Sequence, residues 1–322
     1  MKRRTTLGIL AAAAGSLIAP ARLALANDGD LVRIVVPYAA GGQTDSMARL
    51  LAERMQKTLG RTVIVDNRPG AAALIATKYV QGMPPTGDSL LFHNSGFVAL
   101  PMLNKAATYD PIADFDAVCQ IGESPNFLMV TAEVPARSVP ELIAYAKAHP
   151  GLECANSGIN SGGHISAMLL EKLAGIKLTH VPYKGSAEVT RALLAGEVKM
   201  QLSVTTDSLN PYIQNGKIRI LGVASKDRSS LAPNVPPISD TVPGYSIDGW
   251  FGMLTAAKTP LDKREAMANA IEEALKDAAV RERFAALFMD IRFLGPRAFA
   301  DSVRESKTFF TGVVERLQLT PT

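Results

Sequence analysis

Chemical equipment is scarce in this chain. Four histidines (His93, His149, His164, His180) and two cysteines (Cys119, Cys154) are its only imidazoles and thiols. None stands at metal-ligand spacing: there is no HExxH and no cysteine pair close enough to share a zinc ion. Asn160-Ser161-Gly162-Gly163 invites a serine-nucleophile reading, because Ser-Gly-Gly occurs at oxyanion holes. A nucleophile needs a positioned base, however, and nothing in the spacing assigns Ser161 one. The loop does not match GxSxG. GxGxxG and GxxxxGK[ST] are both absent, so nucleotide binding has no motif to rest on. No cofactor and no metal is expected.

What recurs instead is a polar loop between an apolar run and a helix. The first is Pro37-Tyr38-Ala39-Ala40-Gly41-Gly42-Gln43-Thr44-Asp45. Others are His93-Asn94-Ser95-Gly96, the long Asn156 to His164 segment, Pro182-Tyr183-Lys184-Gly185-Ser186, and Thr205-Thr206-Asp207-Ser208. A Gly-rich loop ahead of a helix aims free backbone N–H groups and a positive dipole end at whatever lies outside the sheet's carboxyl edge, which makes an anion pocket. The same stretch also reads as a plain tight turn. Single residues share the ambiguity. Thr44 and Asp45 are good helix N-caps. His164 could donate to a ligand or to a local partner, and Asp207 could accept from a ligand or cap a helix. Phe251 could line a cleft or fill the core.

The elements that must hold these loops alternate. Val32 to Val36 is a buried strand, and Ser46 to Leu59 is an amphipathic helix with Met47, Leu50, Leu51, Met55 and Leu59 on one face, stopped by Gly60. Thr62 to Asp66 is a strand, Ala71 to Gln81 an alanine-rich helix, and Ser89 to Phe92 a strand. Phe115 to Ile121 and Asn126 to Thr131 follow as strands across a break at Gly122 to Pro125. This alternation predicts a mostly parallel sheet covered on both faces. A second, similar run spans the helix opened by Ser138, strands at Leu152 to Ala155, Leu178 to Val181, Val198 to Val204 and Ile218 to Ala224, and a helix over Ala187 to Ala195. Leu231 to Tyr245, with four of the twenty prolines, reads as an ordered loop returning the chain to the first run. Trp250-Phe251-Gly252 lies on a strand, and three helices (from Pro260, Ala279 and Pro296) end the chain.

Residues 1 to 26 read as an export signal. Lys2, Arg3 and Arg4 precede an apolar run, and Ala24-Leu25-Ala26 offers a cleavage site after Ala26. The paired arginines permit twin-arginine export, Sec export is equally open, and the run is short for a membrane span of about 20 residues. No cysteine follows, so no lipid anchor is expected. The 34 basic residues exceed the 30 acidic ones only through Lys2, Arg3, Arg4 and Arg22. The mature chain is therefore neutral, which gives no electrostatic case for nucleic acid or an anionic membrane. Two cysteines make no disulfide framework. They read as buried thiols, with one bridge between them as the other possibility.

The loops, in order, resemble the Bug-type extracytoplasmic solute receptors of tripartite tricarboxylate transporters. Val36 to Asp45 is similar to that family's P-aromatic-x-x-GG-x-x-D start. Val65-Asp66-Asn67-Arg68-Pro69-Gly70-Ala71, Asn156-Ser157-Gly158 with His164, His180-Val181-Pro182-Tyr183-Lys184-Gly185, Ile213 to Leu221, and Trp250-Phe251-Gly252 extend the likeness over nearly all of the mature chain. Two departures stand out: Ala72-Ala73-Leu74 where the family runs glycine-rich, and Pro85 to Leu90 where it reads Pro-Asp-Gly-Tyr-Thr-Leu.

The resemblance implies an α/β, two-lobed periplasmic-binding-protein (Venus flytrap) fold, type II-like, with two hinge crossings. The junctions at Gly122–Pro125 and near Gly249, where one alternating run gives way to the next, predict that residues 27–122 and 251–322 form lobe 1 and residues 123–250 lobe 2. The resemblance also implies a monomeric periplasmic receptor that passes a small carboxylate (dicarboxylate, or hydroxy or aromatic carboxylate) to integral membrane subunits, with no nucleic acid partner. An exported enzyme acting on a small organic acid through Ser161 or His164 is the alternative. The ligand contacts expected are Tyr38, Ala39, Gly41, Gly42, Thr44, Asp45, Asn94 and Ser95 on one side. Ser157, Asn160, Ser161, Gly163, His164, Lys184, Gly185 and Asp207 are expected on the other, with Phe251 between.

Overall fold

The computed structural model describes residues 31–159, 161–183, 185–204, 209–247 and 249–321. The expected signal peptide and its cleavage point lie outside them, as do Asn160, Lys184 and the loop from Thr205 to Ser208. In chain order the elements begin β1 (Leu31–Val36), α1 (Gln43–Leu59), β2 (Thr62–Asn67), α2 (Leu74–Gln81), β3 (Ser89–Asn94), α3 (Gly96–Leu103) and β4 (Phe115–Glu123). Next come β5 (Phe127–Thr131), α4 (Val139–Ala148), β6 (Leu152–Asn156), α5 (Gly162–Ala174), β7 (Leu178–Pro182), α6 (Ser186–Leu194), β8 (Met200–Ser203), α7 (Asn210–Gln214) and β9 (Ile218–Val223). The chain closes with β10 (Trp250–Ala256), α8 (Leu261–Lys276), α9 (Ala278–Ala286), β11 (Asp290–Leu294) and α10 (Pro296–Leu317).

The strands form two sheets of one design. The first is ordered β2-β1-β3-β10-β4-β11 and the second β7-β6-β8-β5-β9. In each, the opening βαβ strands run parallel (β1 with β2 and β3; β6 with β7 and β8). In each, a strand arriving from the other sheet is inserted antiparallel to both neighbours: β10 between β3 and β4, β5 between β8 and β9. The expectation of mostly parallel sheets is thus corrected to mixed ones. A strand delivered by a crossover has no βαβ connection to its neighbours, so the handedness that forces parallel order does not act on it. The two crossings touch: the Ser124 amide donates to the Gly249 carbonyl at 3.2 Å.

Strand period decides which residues fill which core. Val32, Ile34 and Val36 face α1 and α8, packing with Met47, Leu51, Met55 and Ile271. Val35 and Leu91 face the other side, where Phe97, Phe115 and Phe299 cluster. That second cluster continues into the other sheet through Ile165, Leu169 and Leu202. Cys119 on β4 and Cys154 on β6 are buried free thiols, one in each sheet. Burial raises both thiol pKa values, that of Cys154 to about 12.

Two local expectations need correction. The first helix starts at Gln43 with Gly42 as N-cap, so neither Thr44 nor Asp45 caps it; both lie inside its first turn. The second helix begins at Leu74, because Ala71, Ala72 and Ala73 all take positive φ (46°, 53° and 78°) and cannot belong to it. Elements with no reading from the sequence are β11, with alternating charges on a sheet edge, α3, which contains Pro101, and the short α7.

Candidate functional site

In a parallel sheet the crevice lies beyond the carboxyl ends of two strands whose connections depart in opposite directions. In the first sheet that point falls between β1 and β3, and in the second between β6 and β8. The loops leaving these four strands are those picked out by their polar residues.

The first loop is held by a buried carboxylate. Gly41 takes φ +84°, a conformation that suits glycine, and its amide donates to Asp45 Oδ2 at 2.8 Å. Arg49 donates to the same oxygen through Nε at 3.0 Å and pairs through Nη2 with Oδ1 at 3.0 Å. Arg49 Nη2 also reaches Asn67 Oδ1 at 3.2 Å, and Asn67 Nδ2 donates to the Tyr38 carbonyl at 3.1 Å. Asp45 is 3% exposed. Burial opposes its charge, but hydrogen bonds from Arg49, Gly41 and Asn67 and the Arg49 charge outweigh it and hold its pKa below the usual carboxylate value. Asp45 therefore shapes the loop. Ala39, Ala40 and Gly42 stay exposed on its rim. Among the described residues the Ala39 and Ala40 amides meet no acceptor, and Gln43 and Thr44 carry first-turn amides of α1, which have no intrahelical acceptor.

The end of β3 supports that loop. Burial raises the pKa of the Tyr38 hydroxyl, and the neighbouring Asn94 side chain offsets this in part. Asn94 Oδ1 accepts the Gly96 amide at 3.0 Å. Ser95 is buried, its amide donating to the Trp250 carbonyl at 3.0 Å beside the crossing. His93, unnoticed in the sequence as a site residue, lies beneath Tyr38 with ring centroids 6.0 Å apart.

On the second sheet, Asn156 Oδ1 accepts the Gly158 amide at 3.1 Å and turns the chain toward α5. Asn156 is buried and its Nδ2 has no acceptor. The Ser161 hydroxyl accepts the His164 amide at 3.3 Å, a capping role. Gly163 permits close packing, since a Cβ there would stand 2.2 Å from the Leu202 carbonyl oxygen on β8. The His164 ring meets that of His180 edge-on at 4.9 Å, and His180 Nε2 lies 2.8 Å from Glu171 Oε2. Burial, then the neighbouring His180, lowers the His164 pKa to about 4, so its imidazole is neutral near pH 7. Ser157 is half-buried, and Gly185 is the N-cap of α6 with open space around it. Ile159, two residues after Ser157 and two before the α5 N-cap, is 64% exposed.

The structure brings together Tyr38, Asn94, Ser95 and the loop to Asp45 around one switch point, and Ser157, Ser161, Gly163 and His164 around the other. Phe251 pairs directly with Asn94 across β10 and β3, but it is 4% exposed and its ring packs edge-on against Phe92 at 6.3 Å in the core beneath α1. Among the described residues no cluster of three or more His, Cys, Asp or Glu could hold a metal ion. The hardware is one of neutral donors and helix amino ends, suited to holding an anion.

Comparison with known proteins agrees in family. The family model "Tripartite tricarboxylate transporter family receptor" matches residues 47–301. Protein BugT of Bordetella pertussis is 31% identical over 287 residues, 86% of this chain and 87% of BugT. Among solved structures, Rpa4515 of R. palustris with adipate superposes at TM-score 0.82 with 30% identity, covering 91% of this chain and 98% of that one. Periplasmic binding protein BugD matches at TM-score 0.80 with 29% identity, covering 90% and 98%. MatC of Rhodopseudomonas palustris with bound malate matches at 0.77 with 29% identity, covering 88% and 98%. The chain belongs to the tripartite tricarboxylate transporter receptor family, whose members are periplasmic solute-binding proteins.

Proposed function

We propose that this protein captures a small carboxylate between two lobes and delivers it to the membrane subunits of a tripartite tricarboxylate-type transporter. The lobes are residues 27–122 with 251–322, and residues 123–250, the signal being removed after Ala26 and the receptor acting as a monomer. The observation that carries this reading is the repeated sheet order, which gives each sheet a Gly/Ser loop and a helix amino end at its own switch point. Two such ends, one on each side, suit an acid with polar groups at both of its ends, as adipate and malate are in Rpa4515 and MatC. Ala39, Ala40, Gly42 and Thr44 contact one end of the acid. Ser157, with Asn160, Lys184, Gly185 and Asp207, contacts the other. Asp45, Gly41, Ser161 and Gly163 shape the loops. Receptor action, with no change to the acid, fits the capping role of the Ser161 hydroxyl better than the enzymatic alternative does.

A thermal-shift panel of dicarboxylates, hydroxy acids, aromatic acids, sugars and cations tests the reading. A ligand bound only by the folded form at about 100 times its Kd adds about 2.7 kcal/mol of stability. The expected result is a shift with one class of carboxylate, recovered unaltered after incubation. A shift with sugars or cations and none with any acid would overturn the assignment. Chemical conversion of the bound acid would favour the enzyme instead.

A further inference from the structure

The turn between α9 and β11 belongs to the first half of the molecule but is seated in the second. Phe288 takes φ +52°, which is rare for a bulky side chain. Its ring meets Phe127, the first residue of β5, edge-on at 5.5 Å and packs on the second sheet's own core with Val223 and Met129. Two residues on, both Asp290 carboxylate oxygens accept hydroxyl protons from the far side. Ser229 Oγ donates to Oδ2 at 2.7 Å and Ser230 Oγ donates to Oδ1. Leu287 to Asp290 is thus a staple, rooted by β11 in the first sheet and by Phe288 and Asp290 in the second.

The Gln43 side chain ties that staple to the amino end of α1, which faces the crevice, while Leu287 and Met289 pack in the same core as the body of that helix. Gln43 is the first residue of α1, immediately after Gly42. Its Nε2 donates to the Leu287 carbonyl at 2.9 Å and reaches Ser124 Oγ, on the crossing, at 3.4 Å. Its side chain is therefore committed to the staple and the hinge, while its backbone amide belongs to the loop. The sheet order puts these features on opposite sides of the crossing. The crevice lies at β1 and β3, the hinge strands are β10 and β4, and the staple runs into β11 at the far edge. A rotation that brings the crevice walls together must shift the staple, and Gln43 is tied to it.

We propose that Gln43 is a positioning residue that couples the ligand loop to the interlobe angle through the Leu287–Asp290 staple. The proposal rests on the ligand site argued above for its functional meaning, but the coupling itself needs no ligand. A ligand that orders the amino end of α1 then biases the lobe angle, and the lobe angle sets how well that end is presented.

Interlobe distances measured by pulsed electron spin resonance test this, with spin labels on cysteines introduced at the exposed helix positions Lys57 and Lys172. Both native thiols are buried and stay unlabelled. Without ligand, the parent should give one narrow distance distribution. Gln43→Ala and Gln43→Glu should both broaden or displace it, since the first removes the donor and the second turns an acceptor toward the Leu287 carbonyl. Phe288→Ala should do the same, and the Gln43→Ala/Phe288→Ala pair should be no broader than Phe288→Ala alone. Melting is followed in parallel. A lowered melting temperature with an unchanged distribution would assign Gln43 a purely local structural role and overturn the proposal, as would additive broadening in the pair. Adipate is then added. It should narrow the parent distribution and narrow that of Gln43→Ala less. If adipate leaves every distribution unchanged while the unliganded variants differ, the coupling stands and the assignment of the crevice to such acids fails.

Discussion

The carboxylate of Asp45 accepts the backbone amide of Gly41, four residues earlier, at 2.8 Å. This bond closes the loop on itself and explains why an acid can stand where the proposed anion site lies: its charge is matched by Gly41, Arg49 and the helix end. Asp45→Ala should lower stability by about 2 kcal/mol, the usual range for hydrogen bonds to a charged group, and abolish the carboxylate thermal shift. Asp45→Asn keeps an acceptor for Gly41 and should be milder in both. The pKa of Asp45 lies lower in the folded chain than in the unfolded one. Its contribution is therefore complete above the unfolded value of about 3.9 and is lost as pH falls through the folded value. In urea titrations the stability difference between parent and Asp45→Ala should be smaller at pH 3 than at pH 7. Parallel curves would sink the account.

Gly42 and Gly163 separate the two jobs a site glycine can do. A Cβ at Gly42 would meet only the Ala39 carbonyl oxygen, at 3.5 Å, and the backbone there is extended with φ −78°. Gly42→Val should fold with nearly parental stability and lose the ligand shift, because its side chain occupies the exposed rim of the loop. A Cβ at Gly163 would stand 2.2 Å from the Leu202 carbonyl oxygen. Gly163→Ala should cost about 1–3 kcal/mol in urea denaturation by prising α5 from β8. Equal stability losses for the two variants would contradict this division.

Much of the architecture was legible because strands and helices announce themselves by period. The alternation of Val32, Ile34 and Val36 against Val35 and the Met47, Leu51, Met55 face needed no tertiary information. The inserted strands were another matter. Nothing local to β10 or β5 says that it runs antiparallel, since direction is set by a crossover. Thr44 and Asp45 misled for a related reason. Both are favourable N-cap residues, but the partner that decides Asp45's place is Arg49 one turn later, so the helix starts earlier with Gly42. Gln43 carried no signal at all: its partners, Leu287 and Ser124, lie 244 and 81 positions away.

Ala72 sits at φ 53°, ψ 44°, flanked by two further alanines of positive φ. A left-handed conformation costs an L-residue about 1–2 kcal/mol relative to glycine, whereas a new glycine loosens the unfolded chain by about 0.4–1 kcal/mol. The balance predicts that Ala72→Gly raises stability by up to about 1.6 kcal/mol. Gly41→Ala, at φ +84°, should lower it by a similar amount. Calorimetric melting of both variants checks the pair. A destabilised Ala72→Gly would mean that the turn is paid for by contacts rather than by conformation.

His93 gives the fold a pH dependence separate from any ligand. It is 2% exposed, and its Nδ1 stands 2.8 Å from the Asn94 amide nitrogen and 3.0 Å from the Asn94 carbonyl oxygen, so the backbone there serves either tautomer. Nε2 is buried without a partner. In the imidazolium both ring nitrogens carry protons: the Asn94 carbonyl oxygen can receive Nδ1–H, but Nε2–H has no acceptor. Burial lowers the His93 pKa to about 4, against an unfolded value near 6.5. Between those values the unfolded chain holds a proton that the folded chain does not, so acidification favours unfolding and raising the pH restores stability. From pH 7 to pH 5 the loss from this one group should be on the order of 2 kcal/mol. His93→Gln removes the titration while keeping a polar side chain. Its absolute stability is not the test, since a buried polar exchange costs something at every pH. The difference between parent and variant is the test, because carboxylates and the other histidines cancel in it. That difference should move in the variant's favour by about 2 kcal/mol between pH 7 and pH 5. A difference that stays constant would mean that water or a protein acceptor reaches Nε2 and that His93 titrates near its ordinary value.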